Sequence, residues 1–451
     1  MTGTAPGEQA HEVLVAGLGR RKFLSAAAAV SASAAAPVVT GGMAAAAPSP
    51  AFPSDVLQPD TGSIQGQHYL PSVPDQVRWG YVPAVRSNPA LVMRSGETVT
   101  IDTVSHEGIL EDQGRDPVAY FGAHGVSRTD VLDDAVAIAR DYTRTTRDFD
   151  ADGPHVVTGP VYVDGAEPGD VLKVETLSLL PRVPYGVVSS RHGKGALPRM
   201  PDGSAAPGIT LDEVMPPVAT DGRATKDPMR YGNVSIFTPV RRTRNTLSGV
   251  MPRGNSGEVV FPLRPFMGMM GVAFASSEDL TDPALNSIPP TLGGGNIDIN
   301  LLTAGSTFYL PVFAPGALFY TGDPHMAMGG GEISLTAMEG SLRATFRLTV
   351  CKPDSPDVPS VAFHHPFAET AQAWVPIGLS DPDGAPNGQS SDLDVAMRRA
   401  VVNALDFLQH DLGMDRAVAY AYLSAAADFE VSQVVDRTVG VHAAISKDHF
   451  R

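Results

Sequence analysis

Short apolar or alternating runs, broken by glycine and proline, fill most of the chain after residue 90, and helical periodicity appears in only three places. Residues 91–103 read as two strands about a Gly-Glu turn, with Thr98–Asp102 alternating as a half-buried strand does. Residues 153–179 predict two more strands around the tight turn 165–170. The apolar runs 307–312 and 317–320 and the alternating segment 341–352 continue the pattern. Residues 266–274 (FMGMMGVAF) combine core-filling methionines with glycines where backbones can approach closely. Apolar residues recur at helical spacing in 130–142, 392–411 and 414–427, and 429–441 returns to a strand with a turn. The expected class is a β-rich α+β protein.

Composition agrees. Of 451 residues 43% are hydrophobic and 18% charged, and 45 Gly with 39 Pro favour strands and turns over a helical bundle. A formal net charge of −16, with no large basic cluster in the mature region, argues against nucleic acid or an anionic membrane as partner. No run approaches the ~18 apolar residues of a membrane span. The start of the chain reads as targeting: Gly19-Arg20-Arg21-Lys22-Phe23-Leu24-Ser25 resembles a twin-arginine export motif, followed by an alanine-rich run and small residues around 44–47. The expected organisation is a signal peptide over 1–47, a Pro-rich linker and extended arm over 48–86, a β-rich core over 87–352 and a C-terminal α/β portion over 353–451. The protein is expected to be exported, to the periplasm or the extracellular space. Cys351 is the only cysteine, so no internal disulfide forms.

Polar groups concentrate on the glycine-rich stretch 289–332, where Asn296, Asp298, Asp323, His325 and Glu332 are expected at strand ends or loops. In an extended chain Asp323 and His325 share a face, with Pro324 stiffening the link. A converging Asp, His and Glu would suit a divalent metal or acid/base chemistry, although the same residues could cap turns and sit at the surface. His106 and Glu107 follow a strand, and His155 enters one. The glycine-rich loop 186–207 carries Arg191, His192 and Lys194 and could form a lid; it lacks the spacing of a phosphate loop.

Several ordered blocks resemble the acetamidase/formamidase family: GPHVVTGPVYVDGAEPGDVLKVE, PFMGMMGVAF, GGGNIDINLLTAGSTFYLPVFAPGALFYTGDPHMAMGGGE and the closing YLSAAADFEVSQVVDRTVGVHAAISKDHF. The resemblance runs from about residue 88 to the end. It implies a jelly-roll-like β-sandwich with an additional β/α portion and a helical segment near the C-terminus. The implied activity is hydrolysis of short amides to carboxylate and ammonia by a metal-activated water, with zinc preferred and calcium the alternative. It also implies site residues here: Glu332, His325 and Asp298 as catalytic groups, Asn296, His192, Gly294 and Gly295 around the substrate, and His155, His325, Asp323, Glu332 and His106 as metal ligands. SHEGILEDQG, with His106, Glu107 and Asp112, resembles a longer branch of the family. The family pattern after the histidine ends Gln-Gly-Asp-Gly-Glu, whereas this chain has Met328-Gly329-Gly330-Gly331-Glu332, losing an amide and a carboxylate. An exported binding protein for small amides is the alternative, and a homo-oligomer is open.

Overall fold

The computed structural model of the protein describes residues 56–191, 194–200, 202–216, 233–244, 246–353, 355–381 and 391–450. By its contacts the chain forms two units, Met1–Ala46 and Ala47–Arg451, and the described residues all belong to the second.

Among the described residues the strands form two large sheets. A nine-stranded sheet runs in the order His68–Leu70, Thr98–Asp102, Leu342–Cys351, Val171–Pro181, Thr307–Pro311, Phe367–Glu369, Ala373–Leu379, Gly440–Ser446 and Asp428–Gln433. The second, of eleven strands, is centred on Phe319–Ala327, which lies between Phe266–Gly271 and Met338–Glu339 and also pairs with Val156–Asp164. Two of the turns read from sequence therefore do not close hairpins. Leu91–Arg94 pairs in parallel with Val156–Asp164, while Thr98–Asp102 joins the other sheet, so the Gly-Glu turn crosses between layers. The turn 165–170 crosses in the same way, from Val156–Asp164 to Val171–Pro181. Between the layers lies one large apolar core, in which Phe319 meets Phe346 edge-to-face at 5.5 Å.

Thr98–Asp102, expected to be half-buried, is covered on both faces: Thr100 and Asp102 are fully buried. The arm after residue 56 explains this, because His68–Leu70 pairs with Thr98–Asp102 and Leu57, Leu70, Val77 and Trp79 are core residues. Asp102 is held by Arg343 at 2.6 and 2.9 Å and by Tyr69 Oη at 2.7 Å, and Arg182, also fully buried, donates to Asp134 at 2.7 Å. Helices fall where the periodicity predicts, at Asp133–Asp141, Leu393–His410 and Arg416–Ala426, with a short additional one at Pro117–Gly122. Asp392 and Asp415 cap the last two long helices by accepting from their first backbone N–H groups. Leu393–His410 lies so close to Ala373–Leu379 that a β-carbon at Gly378 would stand 2.2 Å from Ala396 O. That packing ties the C-terminal portion to the nine-stranded sheet.

Candidate active site

The central strand Phe319–Ala327 decides the site's position. Asp323 and His325 lie within this strand, not at its mouth as expected, and both are buried. The strand is irregular on both sides: its register shifts against Val156–Asp164 and again between His325 and Ala327. Asp323 takes a left-handed φ of 51°, and Asp298 and Glu332 both adopt 48°. Such backbone is costly for a side chain with a β-carbon and persists only where the surroundings impose it. The extended spacing does place Asp323 beside His325, with Oδ2 2.9 Å from Nε2.

Around this pair the other groups arrive from distant segments. Asp323 Oδ1 is 3.6 Å from both His106 Nδ1 and His155 Nε2. His325 Nε2 is 3.1 Å from Glu339 Oε1 and 3.8 Å from Glu332 Oε1, and its Nδ1 is 3.7 Å from Asp298 Oδ1. Asp436 joins Asp298 and Glu332. His155 is oriented by Ser287 Oγ, 3.0 Å from Nδ1. Glu107 stands behind His106, at 3.6 Å, and accepts from Ser189 Oγ at 2.8 Å and from Gln113. Gly268 floors the cluster: a β-carbon there would meet Asp298, His325 and Asp323.

These groups perturb one another strongly. Burial, reinforced by its neighbours' charge, raises Asp298 and Glu332 well above the usual carboxylate range. It pushes Glu339 up to about 8 and Asp436 up to about 7. Burial would also raise Asp323, but the imidazoles of His325 and His155 outweigh it and hold that carboxyl below the usual range. Burial lowers His106 to about 3 and lowers His155, keeping both rings neutral, whereas Asp323 and Glu339 overcome burial at His325 and raise it.

The donor set fits a cation. Among the described residues, buried oxygens of Asp298, Asp323, Glu339 and Asp436 and Nδ1 of His106 and His325 lack hydrogen-bond partners, a costly state for charged groups unless an ion satisfies them. Two neutral imidazoles and several carboxylates are the ligands a divalent metal takes. Their donor atoms fall into trios within 4.8 Å of one another: His106, His155 and Asp323; Asp298, Asp323 and His325; His325, Glu332 and Glu339; Asp298, Glu332 and Asp436.

A cavity of about 470 Å³ opens above the cluster. His106, His155, Asn296, Asp323, Glu332, Glu339 and Asp436 line it, while His325 and Asp298 support them from behind. Asn296 is buried, with Oδ1 unpartnered. Gly294 and Gly295 do not line the cavity; at φ 82° and 92° they serve the close approach of Met270, Leu310 and Tyr320. His192 lies outside the described residues. Glu339 and Asp436 were missed by sequence reasoning. Asp436 sits on a turn entering a strand, as His155 does, so the same criterion could have found it; Glu339 lies in a two-residue strand and gives no such signal.

The profile of the "Acetamidase/Formamidase family" matches residues 255–450, the span that carries the cluster except His106 and His155. Over this stretch, somewhat less than half of its length, the chain is similar to that family. It is 25% identical to the acetamidase of Mycolicibacterium smegmatis over 60% of this chain and 72% of that protein. It is 26% identical to the formamidase of Methylophilus methylotrophus, over 66% of this chain and 77% of the other. The solved acetamidase of Yersinia enterocolitica, 24% identical, shares the fold with a TM-score of 0.57 across 85% of this chain and 93% of that one. The departure at Gly330 from the pattern it resembles has a local counterpart: a β-carbon there would stand 2.1 Å from Glu430 Oε1, so Glu430 occupies the space a side chain at 330 would need.

Proposed function

We propose that the protein is an exported hydrolase of short primary amides, cleaving the C–N bond to give a carboxylate and ammonia. The observation that carries this reading is Asp323 at the cavity wall, one oxygen facing His106 and His155 and the other facing His325. Amides are poor electrophiles and need both a strong nucleophile and stabilisation of the developing oxyanion. These histidines and carboxylates would hold a divalent ion, with zinc favoured by the imidazoles and calcium by the oxygen-rich donors, and such an ion would supply both by polarising the carbonyl and lowering the pKa of water to about 7.

The chain's own residues do the rest. Glu332 faces the cavity, where its carboxylate can take a proton from the attacking water and pass it to the departing nitrogen. Asn296 offers an amide donor and acceptor to a substrate amide at the cavity wall. His325 and Asp298 fix Asp323 and Glu332 from behind. The Gly19–Ser25 motif, with its Arg pair, supports export through the twin-arginine route. The test is ammonia release from formamide and acetamide by purified protein, with and without chelator. Chelator-sensitive release is expected; tight amide binding without release would instead indicate a binding protein.

A further inference from the structure

We infer that the cavity takes amides whose far end carries a carboxylate, held at its mouth by Lys194 and Arg437. This rests on the hydrolase reading above and names the substrate class of that site. The first observation is size. About 470 Å³ equals the liquid share of roughly sixteen waters and lies in the range of sites for much larger ligands, whereas formamide and acetamide have three and four non-hydrogen atoms.

The second observation is charge. Four cationic side chains line the cavity. Arg191 is committed to Asp112 at 2.8 Å and Glu107 at 3.4 Å, and Arg147 to Glu111 at 3.2 Å and Asp152 at 3.4 Å. Lys194 and Arg437 form no ion pair among the described residues, in a chain of formal net charge −16 where carboxylates are plentiful. Both are exposed to solvent and line the cavity. Arg437 lies near enough to repel Lys194, lowering it after burial and Arg191, and Asp112 and Asp150, acting in the opposite direction, offset only part of this. An anion between the two cations relieves that repulsion and would be strengthened by the partial desolvation of the mouth. Phe149 and Val434, which also line the cavity, suit a short methylene stem.

The class that fits is the monoamide of a short dicarboxylic acid. Its hydrolysis consumes one water, breaks the amide C–N bond, forms a C–O bond and releases ammonia with the dicarboxylate.

The experiment compares kcat/KM for succinamate and for butyramide, the neutral four-carbon amide without the carboxylate, at low ionic strength, in the parent protein and in the double variant Lys194→Gln, Arg437→Gln. The expected result is at least a tenfold preference for succinamate that shrinks to within about threefold in the variant and with added salt. Equal use of butyramide, or a preference the variant retains, overturns the inference while leaving the hydrolase reading intact. Calorimetric titration with succinate separates the two readings. If no amide is turned over the hydrolase reading fails, and succinate binding lost in the variant still supports the anion site, whereas absent or unchanged binding overturns it.

Discussion

Adding one methyl group at Gly268 should cripple the site without unfolding the protein. A β-carbon there would stand 2.4 Å from Asp298 Oδ1, 2.6 Å from His325 Cε1 and 2.7 Å from Asp323 Oδ2. An unstrained carbon-to-oxygen approach is about 3.3 Å, so Asp298 must retreat by about 0.9 Å and Asp323 by about 0.6 Å. Phe266–Gly271 is pinned by pairing on both sides, to Gly294–Asn296 and to Phe319–Ala327, so the displacement falls on the site's side chains. Overpacking of this kind costs about 1–3 kcal/mol, and misplacing reacting groups by about 1 Å costs about 100-fold in rate. Gly268→Ala should therefore melt only a few degrees lower, while kcat for ammonia release falls at least about 100-fold and bound metal falls with it. Gly122→Ala is the control, since nothing lies within 4 Å of its β-carbon and its backbone is unstrained. Parent kcat and parent metal content in folded Gly268→Ala would refute the reasoning.

Other outcomes follow from the same structure. Glu339 and Asp436, with pKa values raised to about 8 and about 7, bind protons in the folded state that the unfolded chain has released. Their stabilisation is complete below about pH 4 and is lost as pH rises through those values, whereas His106, depressed to about 3 from 6.5, opposes the trend only below about 6.5. Thermal melts of the chelated protein should thus show Tm falling between about pH 6.5 and 8, and added metal should reverse the fall; a flat or rising profile would contradict the burial of these carboxyls. Arg182→Ala strands Asp134 in the core and should cost about 3–5 kcal/mol in denaturant unfolding, against no measurable change if the ion network is incidental. Replacing Arg20 and Arg21 with Lys should trap the protein in the cytoplasm on fractionation, and unaltered secretion would remove the twin-arginine reading.

Local pattern carried much of the fold. Asp133–Asp141, Leu393–His410 and Arg416–Ala426 were visible because one apolar stripe at helical spacing needs no knowledge of its partner. Thr98–Asp102 misled for the opposite reason: its alternation was read as one solvated face, and only the arm and Arg343, 241 residues away from Asp102, show how the polar residues are buried. At the site, spacing paired Asp323 with His325, but glycines drew attention to strand mouths, and the left-handed backbone at Asp298, Asp323 and Glu332 left no mark in residue type. Glu339 was invisible because its neighbourhood is made entirely by long-range contacts with His325 and His106.

The central claim is that Asp323 joins the histidines and carboxylates of one amide-hydrolysing centre. Asp323→Asn is the cleanest perturbation, since asparagine keeps the shape and tolerates the φ of 51°, while removing the charge that faces His106, His155 and His325. The deciding measurement is the rate of ammonia release from acetamide by the folded Asp323→Asn variant beside the parent protein. The account predicts a loss of at least about 100-fold, as for removal of a group on which an active site is built; release at the parent rate would contradict it.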